Sequence, residues 1–577
     1  MASSEELVQH VVHALEVGKL AVWIKRSLVG LVVVAIAVFY LYHFRGLATS
    51  QAMDQAQIGR SIASGHGWHT NLVRPLAIGQ LQAHRKNIPV KIWRDTYNAP
   101  LPPLVDAIAL LPVHRHWKMS AQSLVYAGDE AIVVMSTVLF FASVAVLFFL
   151  TQRLFDRRLA LMTCGFVLLC DMMWQYSLSG LPQMLLLLLF NLTLYALVRA
   201  IEEKYHGGPV AIWIVAAGIG FGLLALSHAL TLWIFAPALL VSLFFFRPRR
   251  RVALLLPAAV AILYLPWLIR NFVVCGNPGG VAIYSLLDGM GQTEAGWMRH
   301  VAADVHGMGL VALRDKFVTN LFAQSGQILA YFGFSIVAIM FFPALLHRFK
   351  RSETETMRWM VLAMWVGAVL GMATYGIHPE QGVAANQLYL LFVPIMTCYG
   401  LAFLLVQWRR LGIELRIVRH AFVALLYLIC VTPMIVGAFF SPNRAPVRWP
   451  PYMPPYISVL GDWMKPQEIV ASDMPWAVAW YANRASLWLP DTIKTMTDLS
   501  DYNVLGGPIN GLYLTPVSGT DNTYRDIVKG EYGDWAQAIQ RTMNLQSFPL
   551  KWGTVSLGID GECAFYSDHD REHAQPP

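Results

Sequence analysis

Apolar residues in this chain come in long runs rather than in alternation. Stretches near 27–44, 129–150, 158–175, 178–200, 210–227, 229–246, 252–270, 327–346, 357–377, 386–406 and 418–440 are almost free of charge. A helix needs about 20 such residues to cross a hydrocarbon core of about 30 Å, so the pattern predicts an all-α polytopic membrane protein with roughly eleven spans. Three segments lie outside these runs: a first loop at 45–128, a second at 271–326, and a tail from 441 onward. In the first loop, helical spacing of apolar residues over 50–64 and 101–111 predicts two amphipathic helices along the membrane surface. The tail opens with "SPNRAPVRWPPYMPPY" (441–456), whose prolines cannot continue a helix and form a semi-rigid spacer. Beyond it, "EIVAS" (468–472), "ASLWLP" (485–490) and "INGLYLTP" (509–516) read as strands, and "PWAVAWYAN" (475–483) as a helix. The expected organisation is a membrane module at 1–440, a linker at 441–460 and a small extracytoplasmic α/β domain at 461–577.

Composition agrees with this picture. Of 577 residues, 56% are hydrophobic and only 14% charged, and the mean hydropathy of +0.49 is far from that of a soluble domain. The net charge of +8 suggests nucleic acid only until the basic residues are located. They sit in short clusters between spans: Lys19, Lys25 and Arg26; Arg153, Arg157 and Arg158; Arg199 and Lys204; Arg247, Arg249, Arg250 and Arg251; Arg348, Lys350 and Arg351; Arg409, Arg410, Arg416 and Arg419. The turns near 176, 228 and 376–386 carry no Lys or Arg. By the positive-inside rule the N-terminus is cytoplasmic, the first span is a signal anchor, and the tail is extracytoplasmic, as in a plasma-membrane protein. Membrane topology thus accounts for the basic clusters, and no nucleic-acid partner is expected. The six cysteines lack a CxxC pair and read as core residues.

Candidate chemistry begins at "MDQAQIGRSIASGHGWHT" (53–70). Ser50 is a plausible helix N-cap, Asp54 lies near the first turn, and Gly65 supplies a left-handed stop. Gln57, Ile58 and Ser61 share the face of Asp54, whereas Arg60 points elsewhere, so Asp54 has no basic partner on its own helix. On physical grounds alone the acid complements the helix dipole.

A resemblance adds to this reading. "AMDQAQIGRSIASGHGW", "RPL" at 74–76 and "YNAPLPPLVDAIA" at 97–109 resemble the first outer loop of the GT-C glycosyltransferases. More narrowly, they are similar to bacterial relatives of the dolichyl-phosphate-mannose protein mannosyltransferases and of the lipid A aminoarabinose transferase. "LPWLIRNFVVCGNP" (265–278) and "IVASDMPWAVAWYANRASLWLP" (469–490) resemble that family's Trp-x-x-Arg-Asn turn and outer tail domain. The resemblance implies a hexosyl or pentosyl transferase. Its donor is a polyprenyl-phosphate sugar and its acceptor a lipid, glycan or protein on the outer face of the bilayer.

Carried over by position, Asp54 matches the catalytic carboxylate that takes the acceptor's proton. Arg270, followed by Asn271, suits the departing phosphate, with interfacial snorkelling as its other reading. Arg74 and Lys91 are further phosphate candidates or solvated loop charges. Tyr97 stacks on a sugar or anchors at the headgroup level. Asp171 lines an acceptor site or reaches the interface. His228 stands where relatives often have Arg, and His378 with Glu380 binds a metal or polar sugar groups, or is a solvated pair. The sequence departs from the family at Gln55, Gln183 and Gln387, where acids or an Arg-Tyr pair are common, which leaves a divalent metal open. Two alternatives to the enzyme remain at this stage: a transporter or flippase of lipid-linked sugars, and a non-catalytic relative.

Overall fold

A computed structural model of the chain describes residues 19–47, 49–84, 93–113, 117–119, 125–290, 296–303, 308–380, 382–412, 416–440, 454–518, 524–544, 548–554 and 563–571. Most of the prolines of the expected linker, and Lys91, lie outside these residues.

The helices that position the site are α1 (Lys19–His43), α2 (Ser50–Ala63), α3 (Pro75–Ala83), α4 (Leu101–Leu110), α5 (Ala127–Leu154), α6 (Arg157–Leu168), α7 (Asp171–Leu178), α8 (Gln183–His206), α9 (Val210–Ser227), α10 (Leu232–Phe245), α11 (Arg249–Cys275), α12 (Leu310–Gly326), α13 (Ser352–Tyr375), α14 (Tyr389–Arg410) and α15 (Arg416–Phe439). Six of them, α5, α8, α9, α11, α13 and α14, are long and apolar enough to cross a membrane. A seventh span arises if α6 and α7, bent by 59° at their junction, count as one. This is a multi-pass membrane protein. The expected spans at 27–44, 229–246 and 418–440 fall on shorter apolar helices. The run at 327–346 is not a span: it breaks into the short helices Ile328–Tyr331, Ile336–Ile339 and Phe341–Ala344. Gly333 and Phe334, at φ of 62° and 57°, take left-handed conformations that a continuous helix excludes.

Both amphipathic helices of the first outer loop form. The N-cap of α2 is Thr49 rather than Ser50, and its Oγ1 accepts from the Ala52 N–H at 3.3 Å. Gly65 ends the helix at φ 80°, with the His66 N–H donating to the Ser61 carbonyl at 2.9 Å. Helices α2 and α4 cross tightly at Gly59, where a Cβ would meet Asp106 Cβ at 2.8 Å.

Among the described residues one six-stranded sheet packs at one end of the helices, with order β1-β3-β2-β4-β6-β5. The strands are β1 (Leu72–Val73), β2 (Ile469–Ser472), β3 (Ala485–Trp488), β4 (Ile509–Leu514), β5 (Trp552–Thr554) and β6 (Ala564–Ser567). β2, β3 and β4 match the strands read from the sequence. Edge strand β1 comes from the first outer loop and runs parallel to β3, with Leu72 opposite Ser486. The apolar core under the sheet likewise draws Leu76, Ile78 and Trp93 from the first loop, and Val281 and Met298 from the second. The tail residues therefore share one folded layer with both loops.

The layer is fastened to the membrane module by two buried charges. Arg60 donates to the carbonyls of Ala479 and Trp480, both at 2.7 Å, at the C-terminal end of a π-helical turn where carbonyls lack helical partners. Asp129, at the start of α5, accepts from Trp480 Nε1 at 2.7 Å and from the Tyr481 hydroxyl at 2.9 Å.

Candidate active site

Asp54 stands one turn into α2 and is 1% exposed. Three donors hold its carboxylate: Gln57 Nε2 at 3.1 Å on Oδ1, and Arg74 Nη2 and Asn98 Nδ2, both at 2.6 Å, on Oδ2. Gln57 also donates to Thr70 Oγ1 at 2.6 Å and accepts from the Asn71 N–H at 3.0 Å, which aligns the chain entering β1. The basic partner missing from α2 is thus supplied across space by Arg74, at the start of α3.

A second acid completes the cluster. Asp95 lies 3.9 Å from Arg74 Nη1 and accepts from the Asn98 N–H at 2.8 Å. Burial, and then the like charge of Asp54, push the Asp95 carboxyl up to about 6 against the pull of Arg74. For Arg74, burial opposes the charge, but Asp54, Tyr97 and Asp95 outweigh it and hold the guanidinium above its ordinary value. That guanidinium also lies 3.8 Å from the centre of the Tyr97 ring. Arg270 reaches the same turn from α11: it donates to the Asp95 carbonyl, donates to Asn271 Oδ1 at 2.8 Å, and stacks 4.6 Å from Trp267.

Beside this cluster is a cavity of about 460 Å³ between the sheet and the ends of α9–α11 and α13 that face it. Arg74, Tyr97, Asn98, Asn271, His228, His378 and Glu380 line it, together with Trp233, Trp267, Trp476 and Trp488. Six of the residues singled out in the sequence therefore meet at one cavity. Asp54 and Arg270 are not on its wall. Asp54 stands behind Arg74 and Asn98, and Arg270 lies next to the wall residue Asn271. Glu380 closes the N-terminal end of the Asp54 helix, accepting from the Ser50 N–H and hydroxyl at 2.7 Å each. Burial lowers the His378 imidazole.

Residues 112–270 match the family model described as dolichyl-phosphate-mannose-protein mannosyltransferase. No curated protein matches the chain. Among solved structures, ArnT from Cupriavidus metallidurans bound to undecaprenyl phosphate aligns over 94% of this chain and 98% of its own, at 13% identity and a TM-score of 0.54. The archaeal oligosaccharyltransferase AglB from Archaeoglobus fulgidus, in complex with an inhibitory peptide and a dolichol-phosphate, aligns over 95% of this chain and 75% of its own, at 13% identity and a TM-score of 0.54.

The chain has the GT-C fold.

On this GT-C scaffold Asp171 stands apart from the cluster. Its carboxylate accepts from the Tyr40 hydroxyl and from Gln175 Nε2 at 2.6 Å, and it lines a second cavity with Tyr176, Tyr331 and Gln387. Of the three glutamines singled out in the sequence, two are committed: Gln183 Nε2 donates to the Ala385 carbonyl at 2.6 Å, and Gln387 Oε1 accepts from the Tyr176 hydroxyl, whereas the buried Gln55 amide has no partner among the described residues. Among the described residues no three His, Cys, Asp or Glu side chains gather as a metal-binding group.

Sequence reasoning overlooked Asp95 and Asn98. Both lie in "RDTYNAP", directly before the proline-rich start of α4, and an acid and an amide in such a turn are the signal that points to them.

Proposed function

We infer that this protein is an integral membrane glycosyltransferase that moves a sugar from a polyprenyl-phosphate-linked donor to an acceptor on the extracytoplasmic face. The observation that carries this reading is the buried Asp54–Arg74–Asn98–Asp95 cluster beside an aromatic cavity at the outer ends of the spans, on a fold shared with two proteins whose structures hold polyprenyl or dolichol phosphate. The match to the mannosyltransferase family model over α5–α11 supports it further.

In this reading the sugar sits among Trp233, Trp267, Trp476 and Trp488. Such rings suit the apolar faces of a hexosyl or pentosyl group. The acceptor's oxygen or nitrogen attacks the anomeric carbon. The bond from that carbon to the phosphate oxygen breaks, its electron pair leaves with the polyprenyl phosphate, and the acceptor's proton passes to Asp54. Asn98 Nδ2 must yield its place on Asp54 Oδ2 for that transfer, because Asp54 is not on the wall. Arg270, one residue from the wall at Asn271, is the cation assigned to the phosphate. The described residues of the tail with β1 form the cap that admits the acceptor, which is a lipid, glycan or protein. The N-terminus is cytoplasmic, and the cap faces outward from the plasma membrane.

The test is transfer of radiolabel from a panel of polyprenyl-phosphate sugars in membranes carrying the native chain. Label must reach an acceptor from at least one donor in excess of membranes without the chain. Absence of transfer from every donor contradicts the assignment.

A further inference from the structure

Two acids outside the Asp54 cluster line the cavity, Glu380 and Asp288. Asp288 follows the 3-10 segment Val281–Leu287 in the second loop and lines the cavity. Its backbone N–H donates to the Ser285 carbonyl at 3.3 Å. Its carboxylate has no hydrogen-bond or ion-pair partner among the described residues. The nearest charges are Lys316, whose Nζ is turned to the Leu286 carbonyl at 2.8 Å, and Glu531 from the cap. Tyr97, beneath the Arg74 guanidinium, also feels its charge.

The other charges on the wall are committed. Glu380 is spent on the Ser50 N–H and hydroxyl, and Arg74 on Asp54 and Asp95. Among the described residues Arg74 is the only Lys or Arg lining the cavity. The space therefore offers a ligand one uncommitted carboxylate and no uncommitted cation. A carboxylate in such a place pairs with hydroxyls or an ammonium, which donate hydrogen bonds, and repels another carboxylate.

We propose that Asp288 is a specificity-determining residue that binds hydroxyl or ammonium groups of the transferred sugar and excludes sugars bearing a carboxylate. This rests on the transferase reading for the source of the sugar. The residue itself takes no part in bond breaking. Burial pushes the Asp288 carboxyl up to about 6, with Lys316 opposing and Glu531 adding to the shift, so the discrimination strengthens as the carboxylate ionises. Asp288, Lys316, Glu531 and Tyr97 are the groups that set this titration.

The experiment is intrinsic tryptophan fluorescence of the purified full chain, since Trp233, Trp267, Trp476 and Trp488 line the cavity. It is titrated with farnesyl-phosphate-linked glucose and with its glucuronic acid counterpart. The native protein is expected to bind the neutral sugar about tenfold more tightly or better. Asp288→Asn, which keeps the shape and removes the charge, is expected to narrow that ratio to within about threefold, while Asp288→Glu retains it. Equal native affinities, or an unchanged ratio in Asp288→Asn, overturn the proposal and leave the transferase reading standing. If neither lipid-linked sugar binds, the transferase reading is left to the donor panel. Free glucose and glucuronate in the same assay then decide the Asp288 question alone: the same charge-dependent preference upholds it, and its absence overturns it.

Discussion

The roles of individual residues in the cluster follow from where their charges are neutralised. Arg74 is a single guanidinium facing two buried carboxylates, so Arg74→Ala leaves two acids without their cation, at a cost of about 3–5 kcal/mol. A thermal unfolding scan should show that loss, with a smaller one for Arg74→Lys, whose ammonium lacks the planar fork that meets Asp54 and Asp95 together. Asp95 gives the same scan a pH dependence. Its folded carboxyl titrates near 6, above the ordinary 3.8, so the folded protein holds that proton more tightly than the unfolded chain. Its stabilising contribution is full below about pH 4 and is lost as the pH rises through about 6. Compared with the native protein, Asp95→Asn should therefore show a flatter melting temperature across that window. The sequence exposed Asp54 and Arg74 because both sit in stretches that resemble the first outer loop of the GT-C glycosyltransferases. It hid their pairing, since 20 residues and a helix end separate them and no periodicity brings them together.

At the level of elements, local pattern was a good guide wherever one segment folds by itself. The helices over 50–64 and 101–111 and the strands at 469, 485 and 509 appear where apolar spacing placed them. The failure at 327–346 has a local cause: the apolar content suffices for a span, but left-handed Gly333 and Phe334 interrupt it. At Gly333 a Cβ would also meet Cys170 Sγ at 2.8 Å, so the break is packed against α7 and its flanking residues. The α2–α4 crossing yields a sharp prediction. Gly59→Val has no room beside Asp106 and should destabilise the protein by about 1–3 kcal/mol, read as a lowered unfolding midpoint. Glu380→Gln weakens the cap on the Asp54 helix by about 1 kcal/mol and should lower the same midpoint more gently.

For the whole molecule, the decisive feature is that the sheet layer is assembled from three distant parts of the chain. β1 is two residues long and carries no strand signal, so nothing in the sequence announces that the first outer loop completes the sheet. The fastening at Arg60 and Asp129 is equally silent, because each reads in isolation as an ordinary end-of-helix charge. Arg60→Ala strips partners from two buried carbonyls, and Asp129→Leu strips them from Trp480 and Tyr481. Either change should loosen the cap at a cost of about 1–3 kcal/mol for each group left unpaired, detected as faster proteolysis within 461–577 while the membrane helices stay protected.

That assembly brings Trp476 and Trp488 to a cavity lined by Arg74 and Asn98, the partners of Asp54, so the transferase reading turns on whether Asp54 supports sugar transfer. The most direct measurement compares radiolabelled sugar transfer by the native chain and Asp54→Asn, in membranes matched for folded protein. The native chain is expected to transfer label, with a loss of about a hundredfold or more in the variant. Equal transfer by the two proteins would contradict that reading.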